Sequence, residues 1–255
     1  MKIGTTRGQV TLFIIVGIVV LSILAMLLFA RKEIVGPVEI NPLSIDTTPI
    51  EWYVEQCLQS TAEEGIFHNG LQGGYFFLPE QATTALSKNV PYYYSFGQDF
   101  SPSDILLAEQ LGAYIDTMMD FCLDQFKPFT EKGYSITFSP PTSSVTLRNH
   151  KITVRTTLPI SISQGIQIRE ISNFMTEISA EQFSRAIIVA REIVTSQHDG
   201  EICLTCFSDL AEQYNLFVGI IPFGEEAYLF DITDNDYILN NENYHLRFAV
   251  RFHEE

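Results

Sequence analysis

Basic residues are scarce in this chain of 255 residues. It has 15 lysines and arginines against 31 aspartates and glutamates, and all of the acidic residues lie at or after Glu33. Nucleic-acid binding depends on lysine and arginine side chains that displace the counterions of phosphate. The composition therefore argues against a nucleic-acid partner and favours a soluble acidic surface or a basic partner.

Recognisable catalytic motifs are also missing. The sequence contains no nucleophile elbow, zinc-binding helix motif, phosphate-binding loop or dinucleotide-binding glycine pattern. Only five histidines are present, and their spacing suggests no partners for them. We therefore predict a protein that is not an enzyme, with no cofactor and no metal, and we infer no small-molecule substrate.

Long apolar runs are absent except for one near the start. Val10 to Ala30 is a run of 21 residues without a charge, of which 15 are Leu, Ile, Val or Phe. As a helix it is about 31 Å long, which matches a hydrocarbon core of about 30 Å. We predict a transmembrane helix at 10–30 in contact with the lipid bilayer. A cleaved secretory signal is the main alternative.

The predicted organisation follows from this segment. Residues 1–9 form a cytoplasmic leader, 31–49 a proline-rich stalk, and 50–255 one extracytoplasmic domain of a single-pass protein in the cell membrane. Lys2 and Arg7 nearly balance Arg31 and Lys32, so the acidic domain and its cysteines decide the orientation.

The residues before the apolar run carry a family resemblance. Arg7-Gly8-Gln9-Val10-Thr11-Leu12-Phe13, followed directly by the apolar segment, resembles the start of archaeal type IV pilin-like proteins. In that family a prepilin peptidase cuts after a basic residue and glycine and leaves Gln at the new N-terminus. The resemblance implies processing at Arg7, Gly8 and Gln9, with the cut after Gly8. It also implies that the apolar helix bundles with others in a filament core.

The rest of the chain alternates between helical and strand patterns. Ser101 to Asp104 is typical of a helix start, and a further helix is predicted from Ser179 to Gln197. Leu71 to Phe77 is predicted as a turn into a strand, with the paired glycines allowing a tight backbone path, and Ile152 to Ile162 is predicted as a strand. Helices and strands come in blocks with hairpins between them. We therefore predict an α+β domain of mostly antiparallel sheet with three to four helices.

Four cysteines are candidates for disulfides. Cys57 and Cys122 each lie on the apolar face of a predicted helix, so they fit either a disulfide between the helices or two buried thiols. Cys203 and Cys206 form a single Cys-x-x-Cys pair, which favours a local disulfide or packed thiols over a zinc or redox site.

One acidic segment has the composition of a calcium loop. Asp231 to Asp236, with Glu242 further on, supplies clustered oxygen ligands, but Asp236 occupies the position at which an EF-hand needs glycine. We predict an acidic β-turn here.

Together these features favour a non-enzymatic cell-surface role in adhesion, envelope architecture, or support of a pilus or secretion system. Its partners would be itself or other envelope proteins. A pilin-like subunit processed after Gly8 is the first alternative, and an anchored enzyme without a recognisable motif is the second.

Overall fold

The computed structural model describes residues 14–26, 45–148, 150–196, 202–224 and 226–252. The chain divides into two compact units, Met1–Ser44 and Ile45–Glu255. In the first unit, residues 14–26 form an α-helix, which we call α1. The predicted leader and processing residues Arg7, Gly8 and Gln9, and most of the predicted stalk, lie outside the described residues.

The prediction of a transmembrane helix is not supported. Among the residues that the structure describes, no helix is both long and apolar enough to cross a membrane. The described helix at 14–26 has 13 residues and a length of about 20 Å, which is less than a hydrocarbon core of about 30 Å. Three predictions are therefore wrong. They are the single-pass anchor at 10–30, the localisation in the cell membrane, and the fold class that included this helix.

The second unit is an α+β domain. Its helices are α2 (Thr48–Gly70), α3 (Asp104–Leu123), α4 (Lys127–Thr130), α5 (Glu181–Thr195) and α6 (Leu204–Gln213). Its strands are β1 (Ala82–Ala85), β2 (Lys88–Ser95), β3 (Gln98–Asp99), β4 (Ser135–Phe138), β5 (Thr142–Arg148), β6 (Lys151–Gln164), β7 (Gln167–Ser179), β8 (Phe217–Phe223), β9 (Ala227–Leu239) and β10 (Glu242–Arg251).

The strands form two sheets. The first has the order β1-β2-β10-β9-β8, with β3 added beside β2, and the second has the order β4-β6-β5, with β7 on the other edge of β6. The pairing of β2 with β10 is parallel, so the first sheet is mixed. The remaining described pairs are antiparallel.

Local sequence explains several of these elements. The Ser103 hydroxyl accepts a hydrogen bond from the Leu106 N–H at 3.2 Å, which caps α3 at the predicted start. Along β6 every second residue from Ile152 to Ile162 is buried, because alternate side chains of a strand point to the same face. Both patterns place apolar side chains in one core cluster shared by the helices and the two sheets.

The turn predicted at Gly73 and Gly74 is confirmed, but the strand predicted to follow it up to Phe77 is wrong. This segment forms turns, with φ of +61° at Gly73 and +82° at Gly74. At Gly74 the positive φ strains any other residue, and a Cβ atom would lie 2.2 Å from Leu107 Cδ2, so glycine suits this position against α3. The N–H groups of Phe76 and Phe77 donate to the Gln110 side-chain oxygen at 2.9 and 2.8 Å instead of to a neighbouring strand.

Candidate functional site

A polar cleft lies between α2 and the β9–β10 hairpin, and we call it the hairpin cleft. Its volume is about 740 Å³. One wall comes from the end of α2 and from α3, and the other comes from the hairpin. The lining residues are Glu64, Phe67, His68, Leu71, Tyr114, Leu239, Asn240, Asn241, Glu242, Asn243, His245 and Arg247.

The register of β9 against β10 builds the hairpin wall. Arg247 is opposite Asp231, and His245 is opposite Thr233. Because side chains alternate along a strand, these four lie on the same face of the sheet. The hairpin turns at Asn240 and Asn241, whose φ angles of +53° and +66° suit a tight turn that asparagine tolerates.

Asp231 is the centre of the charge network on this wall. Its Oδ1 lies 2.7 Å from His245 Nδ1, and its Oδ2 accepts from Arg247 Nε at 2.8 Å. Lys88 Nζ is 4.0 Å from the same carboxylate. Burial acts to raise the pKa of Asp231, but hydrogen bonds from His245 and Arg247 outweigh it and hold this pKa below its ordinary value.

His245 is oriented by this network. Its Nδ1 also lies 3.1 Å from the Thr233 hydroxyl, so both contacts are made through one ring nitrogen. A neutral imidazole that donates from Nδ1 has Nε2 as its proton acceptor. The carboxylate–imidazole pair can therefore fix a histidine for binding or for proton transfer.

A second histidine lines the opposite wall. The His68 ring lies 5.2 Å from the Tyr114 ring and 6.0 Å from the Phe76 ring, measured between centroids. Its Nδ1 atom is buried and has no hydrogen-bond partner in the described part of the chain. Burial, and then the charge of Glu64, raise the pKa of Tyr114. The cleft therefore brings together imidazole, carboxylate, guanidinium and amide groups that suit a polar ligand.

Two residues next to cleft residues in the sequence also have buried polar atoms, namely Asn69 after His68 and Tyr244 after Asn243. The side-chain amide of Asn69 and the hydroxyl of Tyr244 are buried without hydrogen-bond partners among the described residues. Burial, followed by the charge of Asp234, raises the pKa of Tyr244. The hydroxyl stays neutral at physiological pH.

The acidic segment predicted as a β-turn is instead part of a strand. Asp231 to Asp236 lies within β9, which continues to Leu239. Its pairing with β10 reaches Asp234 and resumes at Ile238 after a register shift. Asp234 is buried and accepts a hydrogen bond from the Asp236 N–H at 2.9 Å. No group of three or more potential metal ligands is found within the described ranges.

The structure places the four cysteines in two disulfides. Cys57 of α2 and Cys122 of α3 are joined with a Cα–Cα distance of 5.6 Å. Cys203 and Cys206 are joined with a Cα–Cα distance of 5.4 Å. The first disulfide links two core helices, and the second closes a short loop at the start of α6.

Sequence reasoning missed the network around Asp231. His245 and Arg247 are recognisable as polar residues interleaved with apolar ones, which is typical of a strand with one exposed face. Their common partner lies 14 and 16 residues earlier in the chain. The strand register determines that pairing, and no local pattern reveals it.

The helix α1 is the other candidate interaction surface. Its apolar side chains are exposed on all sides, for example Leu21 at 73% and Met26 at 77%. The Ser22 hydroxyl donates to the carbonyl oxygen of Ile18 at 2.9 Å, so its polar group is satisfied within the helix.

Comparisons with protein families, characterised proteins and solved structures find no match for this chain.

Proposed function

We propose that this protein is a non-enzymatic structural subunit that assembles with copies of itself through the apolar helix α1. The observation that carries the proposal is that α1 exposes apolar side chains around its whole circumference, including Ile14, Ile18 and Leu21. A helix that is apolar on all sides is stable only when neighbours cover it on all sides.

A bundle of the same helix from several copies supplies that cover. The described segment 14–26 has no charged residue, so no ionic group would be buried in such a bundle. Gly17 has open space around the position of its missing Cβ, which allows a neighbouring helix to approach closely. The resemblance of Arg7 to Phe13 to archaeal pilin-like starts supports this assembly.

The second unit is then the part of the subunit that contacts other molecules. It contains most of the acidic residues of a chain with a formal net charge of −16, which favours a basic partner. The hairpin cleft offers the carboxylates of Glu64 and Glu242 as specific contacts within that surface. Adhesion and envelope architecture are the roles that fit such a subunit.

Native material provides the first test. We expect N-terminal sequencing to begin at Gln9 and electron microscopy to find filaments that contain this chain. Native protein that begins at Met1 or Lys2 and stays monomeric would rule out the proposal.

A matched pair of substitutions provides the second test. We expect Leu21→Asp to abolish assembly in sedimentation experiments, because each copy would bury a carboxylate in the bundle. Ser22→Ala removes a hydroxyl and keeps the surface apolar, so assembly should persist. Circular dichroism should show the same folded domain in both variants. Equal assembly by the two variants would contradict the role of α1.

A further inference from the structure

The disulfide between Cys203 and Cys206 lies at the N-terminus of helix α6. Cys203 directly precedes Leu204, the first residue of the helix, and its carbonyl accepts from the Cys206 N–H at 3.2 Å. Cys206 is exposed and Cys203 is half-buried. Leu204, between them in sequence, is an exposed apolar side chain. Cys206 is therefore the more accessible cysteine of the pair, and it has an exposed apolar side chain nearby in sequence.

The other disulfide has a different environment. Cys57 is 3% exposed, and its bond to Cys122, 65 residues later in the chain, joins two core helices. A disulfide restricts the unfolded chain more when it closes a longer loop. The bond between Cys203 and Cys206 spans only three positions, so it contributes far less to the stability of the fold.

Helix α6 is held in place independently of its disulfide. Phe207 and Ala211 are buried, and the Phe207 ring contacts the Phe230 ring edge-on at 6.3 Å between centroids. The hydrogen bond between Cys206 and Cys203 is a backbone contact that does not require the sulfur–sulfur bond. Reduction can therefore occur without loss of the helix.

The helix N-terminus favours the thiolate form of a cysteine there. Backbone N–H groups without helical partners and the helix dipole stabilise a negative charge at this end. Thiols at helix N-termini and in Cys-x-x-Cys pairs have pKa values below the ordinary value of about 8.5. Cys203, immediately before the helix, is thus a good leaving group for exchange.

We propose that the pair Cys203–Cys206 is a thiol–disulfide exchange site that oxidises a dithiol of a partner protein. A partner thiolate attacks the sulfur of exposed Cys206, and the electron pair of the broken bond moves to Cys203, which leaves as a thiolate. The second partner thiolate then attacks its own sulfur in the mixed disulfide and releases Cys206. The partner gains a disulfide, and this chain gains two electrons, takes up the two protons that the partner thiols released, and ends as a dithiol. One chain oxidises one dithiol and is itself reduced, so the exchange is stoichiometric, and it is independent of assembly through α1.

The two disulfides of one molecule provide an internal comparison. The folded full chain is titrated with dithiothreitol, quenched with iodoacetamide and analysed by peptide mass spectrometry. We expect Cys203 and Cys206 to be labelled at dithiothreitol concentrations at least about tenfold below those that expose Cys57 and Cys122, because the first pair is accessible. Circular dichroism should be unchanged at that point. Simultaneous labelling of all four cysteines, or unfolding when the first pair is reduced, would overturn the proposal.

Single substitutions test the roles of the two sulfurs. In Cys206→Ser, the pH dependence of Cys203 alkylation should have its midpoint below about 8.5. In Cys203→Ser, the midpoint of Cys206 alkylation should lie at a higher pH than the midpoint of Cys203 alkylation in Cys206→Ser. The oxidised wild type should oxidise a fluorescent dithiol peptide, whereas the double variant Cys203→Ser/Cys206→Ser should remain folded and lose this activity. Equal peptide oxidation by wild type and double variant would refute the exchange site.

Discussion

At the scale of single residues, Asp231 is the shared partner of His245 and Arg247, which line the hairpin cleft. Its carboxylate is 16% exposed and contacts Arg247 and His245. We expect Asp231→Asn to lower the free energy of unfolding by about 2 kcal/mol, because Arg247 would keep a half-buried charge without its partner. Urea denaturation at neutral pH measures this change.

Exposed Asp209 on α6 supplies the control for that substitution. Asp209→Asn removes the same charge from an open surface, so the unfolding free energy should change by less than about 0.5 kcal/mol. Equal effects at the two positions would mean that the loss of negative charge matters, and not the contact with Arg247.

Acid should reduce the contribution of the Asp231 network to the stability of the folded protein. The pKa of Asp231 is lowered in the folded state, so below the ordinary value of about 3.9 the unfolded chain takes up a proton before the folded protein does. Its contribution to stability is full above that value and is lost as the pH falls through the lower, folded-state pKa. We expect the stability difference between wild type and Asp231→Asn to shrink between about pH 5 and pH 2. A difference that grows in acid would contradict this assignment.

At the scale of elements, the contact between α2 and α3 depends on a glycine. A Cβ atom at Gly65 would lie 2.6 Å from Leu111 Cδ1 and 2.8 Å from Tyr114 Cδ1, and both of these side chains are buried. Crowding in a packed core lowers the free energy of unfolding by about 1–3 kcal/mol. The higher helix propensity of alanine raises it by up to about 1 kcal/mol. We expect Gly65→Ala to destabilise the domain by about 1 kcal/mol in thermal and urea unfolding.

Ser60 on the exposed side of the same helix gives the comparison. Ser60→Ala should leave stability unchanged or raise it slightly, because only helix propensity changes there. A Gly65→Ala variant more stable than Ser60→Ala would contradict the prediction, because it would mean that the side chains of α3 move aside at little cost in free energy.

Elements differ in how well the sequence predicts them. The start of α3 was predicted from Ser101 to Asp104 and is confirmed, because its cap is a contact between residues three apart. The turn predicted at Gly73 and Gly74 is confirmed, but the strand predicted after it is wrong, because Gln110 of α3 binds the N–H groups of Phe76 and Phe77. Contacts within a few residues can be predicted from local sequence. Contacts between distant elements cannot.

At the scale of the whole molecule, charge opposes the proposed assembly. Each copy has a formal net charge of −16, so neighbouring copies repel one another in dilute buffer. The Debye length falls from about 30 Å at 0.01 M salt to about 3 Å at 1 M, while apolar contacts persist. We expect higher sodium chloride concentrations to lower the protein concentration at which the full chain assembles, as measured by light scattering.

The Leu21→Asp variant separates this effect from salting out. It has one more negative charge and a disrupted α1, so it should stay unassembled across the same range of salt. Assemblies that dissolve when salt is added would be held by ionic contacts instead of by α1.

The sequence by itself determined the acidity of the chain, the apolar segment near its start and the alternation of buried residues along β6. These properties depend on residue type and on short periodic spacing. Only the tertiary structure decided the parallel pairing of β2 with β10, the position of Asp231 between His245 and Arg247, and the different environments of the two disulfides. The physical reason is that strand register and helix packing bring together residues far apart in the chain, and local patterns do not encode those distances.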